Sequence, residues 1–374
     1  MIFVNSGNLI LPSPWHQKQA AMLSYFSSLD YLVTLHRLVT DLIEGNVDPI
    51  LDKAESQGRD AVLVDERWGT RDTSENWSNN AWPHLKNLQA SLARDIGERQ
   101  LGKFKKTAVF EYFRGMDEFS MAWMAPDEEK AFNAARQRIG DWASPIDLTM
   151  SDRMTKNWND YYFAWDYPAF ASRFDKIPRF CIRTDIVYPT GAIPRQTGIY
   201  ISKEHPHAAL QFSWSGKEGR PLRKAITFND IGLAALGSVG RDELWFNDDK
   251  MFEFTTSPPY AKLFHDDVIW SDGPHPRLAA SAVARKAFTT CDSAWYLVEP
   301  IEGEFDQLSD LNTLEPVWQG QVARIVGGEK CVEPGYYFSP SRSGSRRFFK
   351  KNEIAPTFDT QYGQTFWQWD ASQT

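Results

Sequence analysis

Between residues 14 and 45 the apolar positions Met22, Tyr25, Leu29, Leu32, Val39 and Ile43 fall at three-, four- and seven-residue steps. That is the stripe of an amphipathic helix. Ser13 and Pro14 supply an N-cap and first-turn pair, and Gly45 a stop, so the spacing predicts one long helix over 14–45. His36 falls inside the stripe and reads as a packed histidine before it reads as a ligand. Residues 52–80 lose the periodicity and predict a loop or short irregular helices around Trp68 and Trp77. Leu85, Leu88, Leu92 and Ile96 restore it after Pro83. Val109, Phe113, Met116, Phe119 and Trp123 predict a helix through Phe104–Met124, and Pro126 with its following acids opens another. Met154, Trp158, Tyr161, Phe163 and Trp165 continue an inward face through Ser151–Phe174.

At Ile177–Pro178 the texture changes. "RFCIRTDIVYPTG" and "GIYISKEHPHAALQFSWSG" are rich in β-branched and aromatic residues and punctuated by turn formers, which predicts strands. "FNDIGLAALGSVG" reads as a short helix capped at Asn229 or Asp230, and "DELWF" as a strand after it. Further strands are predicted in Ala282–Val298, Val317–Val326 and Gly335–Phe338. The expected fold is α+β: a helical N-terminal domain over 1–176, then a mixed, mainly antiparallel β domain with short helices over 177–374. The length of 374 residues fits two domains, with roughly three quarters of the unfolded surface available for burial.

The end of the chain is unusual. Termini are commonly polar and frayed, yet Cys331–Asp370 carries Tyr336, Tyr337, Phe338, Phe348, Phe349, Phe366, Trp367 and Trp369. "TFWQWD" alternates with strand period, so the tail reads as a closing sheet segment rather than a contact surface, its arginines pairing with the protein's own carboxylates. Fifteen tryptophans serve as large packing units, or as anchors of an aromatic cleft or interface.

A formal net charge of −8 argues against a nucleic-acid partner and favours a neutral or basic one. Cys181, Cys291 and Cys331 are odd in number and widely spaced, which fits a reducing compartment. The opening "MIFVNSGNLILPSPWHQKQ" lacks the layout of a secretory signal, and no stretch has the length of a membrane span. The expectation is a cytoplasmic protein with no membrane partner.

Catalytic motifs are missing. "IVGGEK" lacks the phosphate-loop frame, "ALGSVGR" puts its glycine at the wrong offset for a nucleophile elbow, and there is no HExxH. His205 and His207 in "EHPHAA", His265 in "FHDD" and His275 in "GPHPR" have ligand-like spacing but sit beside proline, glycine or acid, so surface turns are the plainer reading and no metal is expected. Asp248–Asp249, Asp266–Asp267 and Glu302, Glu304 and Asp306 form acidic patches in hydrophilic, turn-like stretches. They read as solvated turns or as a docking face for a basic partner.

Three segments resemble bacterial immunity proteins encoded beside type VI secretion effectors. In the tail these are Cys331-x-x-x-Gly335 with an aromatic pair, Ser345-Arg346-Arg347-Phe348-Phe349, and Gly363-x-Thr365-x-Trp367-Gln368-Trp369-Asp370. "TGIYISKEHPHAALQFSW" and "TFNDIGLAALGSVGRDELWFNDDKM" are similar to the same group. The sequence departs from the pattern at Val332 and at Tyr336–Tyr337. The resemblance implies a non-catalytic, cofactor-free protein that binds and neutralises a cognate toxin. A basic, cytoplasm-acting toxin such as a nuclease is the expected partner, met by Asp248, Asp249, Asp266, Asp267, Glu302, Glu304 and Asp306. Two other readings stay open: a hydrolase or transferase built around His205, His207 and residues 265–267, and a structural adaptor using the helical half.

Overall fold

The computed structural model describes residues 4–6, 9–64, 66–152, 157–308, 324–332, 334–339, 345–358 and 365–369. A short hairpin, β1 (Val4–Ser6) and β2 (Leu9–Leu11), precedes the helices. Ser13 caps α1 (Pro14–Ser27) as its sequence suggests. The predicted long helix is broken, however. Ser28 adopts an extended conformation, donates its hydroxyl to Tyr25 O and caps α2 (Leu29–Leu42) by accepting from Tyr31 N. A serine followed by Leu-Asp-Tyr makes a better N-cap than a helix interior. Gly45 is no stop either. The chain passes it in a π-helical turn, Ile43–Val47, and enters α3 (Asp48–Ser56).

A 3₁₀ turn (Glu66–Arg71) and α4 (Ser74–Asn80), which buries Trp77, fill the irregular stretch. Helix α5 (Trp82–Gln100) buries Leu85, Leu88 and Leu92. The helix predicted over Phe104–Met124 shrinks to α6 (Val109–Met116). Ahead of it, the Thr107 amide and hydroxyl both donate to Asp147 and hold the chain out of helix. Helix α7 (Pro126–Met150) opens at Pro126 as expected and runs through Pro145. Its buried Glu128 accepts from Lys53, the Ala125 amide and Arg59. Burial alone would raise its pKa, but those donors hold it at about 2. Of the inward face drawn through Ser151–Phe174, Tyr161, Phe163 and Trp165 lie on α8 (Asp160–Ala171), and Met154 lies outside the described residues.

The main sheet has the order β3 (Lys176–Pro189), β10 (Ala294–Gln307), β4 (Gly198–Ser202), β5 (Gln211–Ser213), every pair antiparallel. Helix α1 is tied to it by buried amides. Gln17 both donates to Phe180 O and accepts from Phe180 N, at 2.9 Å each, in the manner of a neighbouring strand. Gln19 accepts from Leu210 N and donates to Trp158 O. The apolar core is continuous across Lys176–Pro178: Leu35, Leu88 and Ile146 from the helices share it with Phe180, Ile199, Phe212 and Val298 from the sheet. That boundary is a change of secondary structure, with no gap in the packing.

A second core lies under α9 (Asp230–Val239), α10 (Asp248–Thr256), α11 (Ala261–Val268), α12 (Ala279–Lys286) and the ribbon β6 (Ala225–Phe228)–β9 (Phe288–Cys291). Gly232 is required there, because a Cβ would come within 2.4 Å of Ala287 O. A two-residue ribbon, β7 (Ile269–Trp270)–β8 (Gly273–Pro274), links α11 to α12. Asn229 caps α9 as expected. "DELWF" is not a strand but a run of turns between α9 and α10.

The tail forms its own antiparallel sheet, in the order β11 (Arg324–Val326), β14 (Phe366–Trp369), β12 (Gly335–Phe338), β13 (Arg347–Phe349). Residues 317–323 of the predicted strand lie outside the described residues, as do Gly363, Asp370 and the Trp369 side chain. One face closes a small core of Ile325, Cys331, Tyr337, Phe349, Ala355 and Trp367. Arg347 pairs with Glu353, a carboxylate of the chain itself. The architecture is thus mixed α+β, helical first and then antiparallel sheets with short helices. Among the described residues no helix is long and apolar enough to cross a membrane.

Candidate interaction surface

Helix α8 carries an aromatic at six of its twelve positions: Tyr161, Tyr162, Phe163, Trp165, Tyr167 and Phe170. Aromatics on all sides of a helix cannot all be buried unless the helix is buried all round. Here Phe163 and Phe170 face the core, while Tyr162 is 46% and Trp165 51% exposed. The exposed side meets the 240–247 turn, where Phe246, 46% exposed, sits with its ring centroid 5.1 Å from that of Trp165. Tyr161, half-buried, packs against Trp165 from the helix side.

Gly240 ends α9 at φ 88°, and the chain then turns back on itself. Trp245 holds φ 78°, a conformation that is a genuine outlier for a bulky side chain and has a cost of order 1–3 kcal/mol. The effect is to separate two neighbours: Trp245 goes fully inward and Phe246 outward. Several contacts hold the turn in place. The Trp245 indole N–H donates to Asp160 Oδ1 at 2.8 Å, and its ring packs edge-on against Tyr161 and stacks on Phe288. Asp160, at the start of α8, is buried and accepts a second bond from Arg241 at 2.5 Å. The Arg241 guanidinium lies over the Trp15 ring and donates to His207 Nδ1 at 3.3 Å.

His16, on α1, sits beside this ion pair. Its Nε2 is 3.0 Å from the Ala208 carbonyl, which only accepts, so Nε2 carries the proton and Nδ1 receives the Ser13 hydroxyl at 3.1 Å. Burial, helped by the charge of Arg241, lowers its pKa to about 4. His16 is therefore neutral in the folded protein at neutral pH, whereas an unfolded histidine takes up its proton near pH 6.5. Acidification from 6.5 to 4 then favours the unfolded chain. We expect stability to fall by about 2–3 kcal/mol between pH 7 and 4.5 from this group alone. In urea titrations across that range, His16→Gln should flatten the loss by a comparable amount, and parallel wild-type and mutant pH profiles would contradict the assignment.

The acids predicted to dock a partner are not in turns. Asp248 and Asp249 occupy the first turn of α10, where the helix dipole favours them, two and three residues after Phe246. Asp266 and Asp267 lie in the last turn of α11. Asp266 pairs with His265 at 3.0 Å. Asp267 is bound by Arg285 and Lys286; burial pushes its pKa up, but the two cations hold it below the usual range. Glu302, Glu304 and Asp306 alternate along strand β10, and Arg179 pairs with both Glu304 and Asp306. Asp248, Asp249 and Glu302 carry no ion pair among the described residues. Asp248 and Asp249 follow Phe246 along the chain, and Asp242 is exposed in the preceding turn.

The histidines do not assemble. His205 bonds the Asp292 carbonyl at 3.2 Å, His207 serves Arg241, and His265 and His275 each face a local aspartate. Among the described residues no group of three or more histidine, cysteine, aspartate or glutamate side chains is placed to hold a metal ion. Cys181, Cys291 and Cys331 form no disulfide. A hollow of about 680 Å³ between α6 and α7 is lined by Phe110, Arg114 and an Arg136–Asp117 pair, an arrangement without a poised nucleophile. No family model, curated protein or solved structure matches the chain.

Sequence reasoning missed this surface. Periodicity puts Trp165 on an inward stripe and composition puts Phe246 on a strand, although the all-round aromatic content of residues 160–171 signals a helix with more apolar faces than one core contact can cover.

Proposed function

We propose that this protein is an immunity protein, which binds a cognate secreted toxin in the cytoplasm and blocks its active site or substrate surface. The observation that carries the reading is the exposed Trp165–Phe246 pair, with Asp242, Asp248 and Asp249 close to Phe246 along the chain. A rigid aromatic centre with a charged rim is the composition of an energetic interface, since tryptophan and its aromatic neighbours supply most hot-spot energy. The acids select a basic partner and speed its approach. A nuclease, which needs cations to hold phosphates, is the partner class that fits.

The test is to search the genes flanking this one for a secreted toxin and to co-express that toxin with this protein. Wild type should restore growth. Trp165→Ala with Phe246→Ala should weaken toxin binding at least 100-fold, as truncating two anchors does. Asp248→Asn with Asp249→Asn should slow association and reduce its salt dependence. No rescue by wild type sinks the immunity reading; rescue and binding indifferent to the aromatic double variant sink this surface.

A further inference from the structure

The tail sheet has a second face. Strand alternation puts Tyr337 and Phe349 into the small core, and Tyr336 and Phe348 on the opposite side. These two are register partners with ring centroids 5.3 Å apart in an edge-to-face pair, and Phe348 is 47% exposed. The Arg346 guanidinium lies 4.0 Å from the Tyr336 ring centroid. Along Ser345–Lys351 stand four cations and no acid, in a chain whose net charge is −8. Arg347 is paired with Glu353; Arg346, Lys350 and Lys351 are exposed. Whole-chain charge does not govern such a patch, because solvent ions screen distant acids beyond about 8 Å at physiological salt.

We propose that this outward face binds single-stranded nucleic acid, with bases stacked on Phe348 and on the Tyr336–Arg346 pair and phosphates met by Lys350 and Lys351. Flat rings on a sheet surface flanked by flexible cations are the elements such strands require: every base has a face to stack, and every linkage a negative charge. An acidic protein would use the cations but has no need of the rings. The footprint is two or three nucleotides, so the affinity is modest and the sequence preference slight. This site is separate from the α8 surface and does not depend on the immunity reading.

Fluorescence anisotropy of labelled dT12 and rU12 with the full chain tests it. Saturable binding is expected in 20 mM salt, with log affinity falling against log salt at a slope of about −1.4, as two phosphate contacts predict. Phe348→Ala should weaken binding about tenfold, the loss of one stacked base. Lys350→Glu with Lys351→Glu, both exposed, should weaken it further and flatten the slope. Phe348→Tyr, which keeps a ring, should bind like wild type. The proposal is overturned by an absence of saturable binding in 20 mM salt. It is overturned equally if poly-glutamate competes as well as the oligonucleotides, or if Phe348→Ala changes nothing, since either result reduces the face to a general cation patch.

Discussion

Replacing Arg241 by alanine is expected to lower stability by about 3–5 kcal/mol, although a fifth of its side chain is open to solvent. The cost arises at its partner. Asp160 is only 2% exposed, and with Arg241 gone its charge keeps a single hydrogen bond, from the Trp245 indole. A buried carboxylate stripped of its cation faces the full desolvation penalty, which exceeds what the pair contributes while intact. The matched control is Asp160→Asn with Arg241→Met. That variant removes both charges, keeps an acceptor for Trp245 and fills the space over Trp15, so it should recover most of the loss. Equilibrium urea unfolding of the three proteins measures both values. A loss under about 1 kcal/mol for Arg241→Ala would mean that Asp160 reaches water, contrary to its burial. The same substitution reaches the surface. Trp245 holds an unfavourable backbone conformation because Asp160 and the surrounding rings fix it, and Phe246 is presented by that turn. The proposed toxin binding should therefore weaken in Arg241→Ala beyond what the unfolded fraction explains, and recover in the charge-free pair.

The fold was legible where one signal acted alone. Pro14, Pro83 and Pro126 open helices, Asn229 caps one, and the β-branched runs after Ile177 are strands. Legibility failed where a short-range hydrogen bond competed with periodicity. Ser28 sits on a continuous apolar stripe yet breaks it, because its hydroxyl satisfies two backbone groups across the break. The "DELWF" run has strand composition, but a buried aspartate eighty-five positions away in sequence fixes its tryptophan and turns the chain. No local pattern encodes that pairing. The acids illustrate the other gap. Sequence locates charges but not their partners, and only the structure shows that Arg179 pairs with Glu304 and Asp306, while Asp248 and Asp249 open a helix just after the exposed Phe246. His16 escaped notice for the same reason: its partners come from Ser13 and from Ala208, nearly two hundred residues on.

Trp367→Ala is the other change with a large expected effect, of about 3–5 kcal/mol, and it is expected to act locally. Trp367 is fully buried, contacts Phe349 and Phe358 edge-on or tilted, and donates its indole N–H to Pro356 O at 2.8 Å. The core it completes has five other buried residues, Ile325, Cys331, Tyr337, Phe349 and Ala355. So small a core has little stability to spare, and removing its largest member should unfold the sheet rather than leave a cavity. The main core is a different matter. Its buried members extend from Ala20 to Leu308 and include none from the tail sheet. Amide exchange therefore separates the two outcomes. In Trp367→Ala the amides of Ile325, Tyr337 and Phe349 should lose their protection, while those of Leu35, Leu88 and Ile199 keep theirs and the principal urea transition keeps its midpoint. Loss of protection in both sets would show that the tail is part of the main cooperative unit. Loss in neither would show that the indole is dispensable to the sheet. The local outcome also removes the Tyr336–Phe348 face, so the proposed oligonucleotide binding should vanish in this variant while the proposed toxin binding at Trp165 and Phe246 persists.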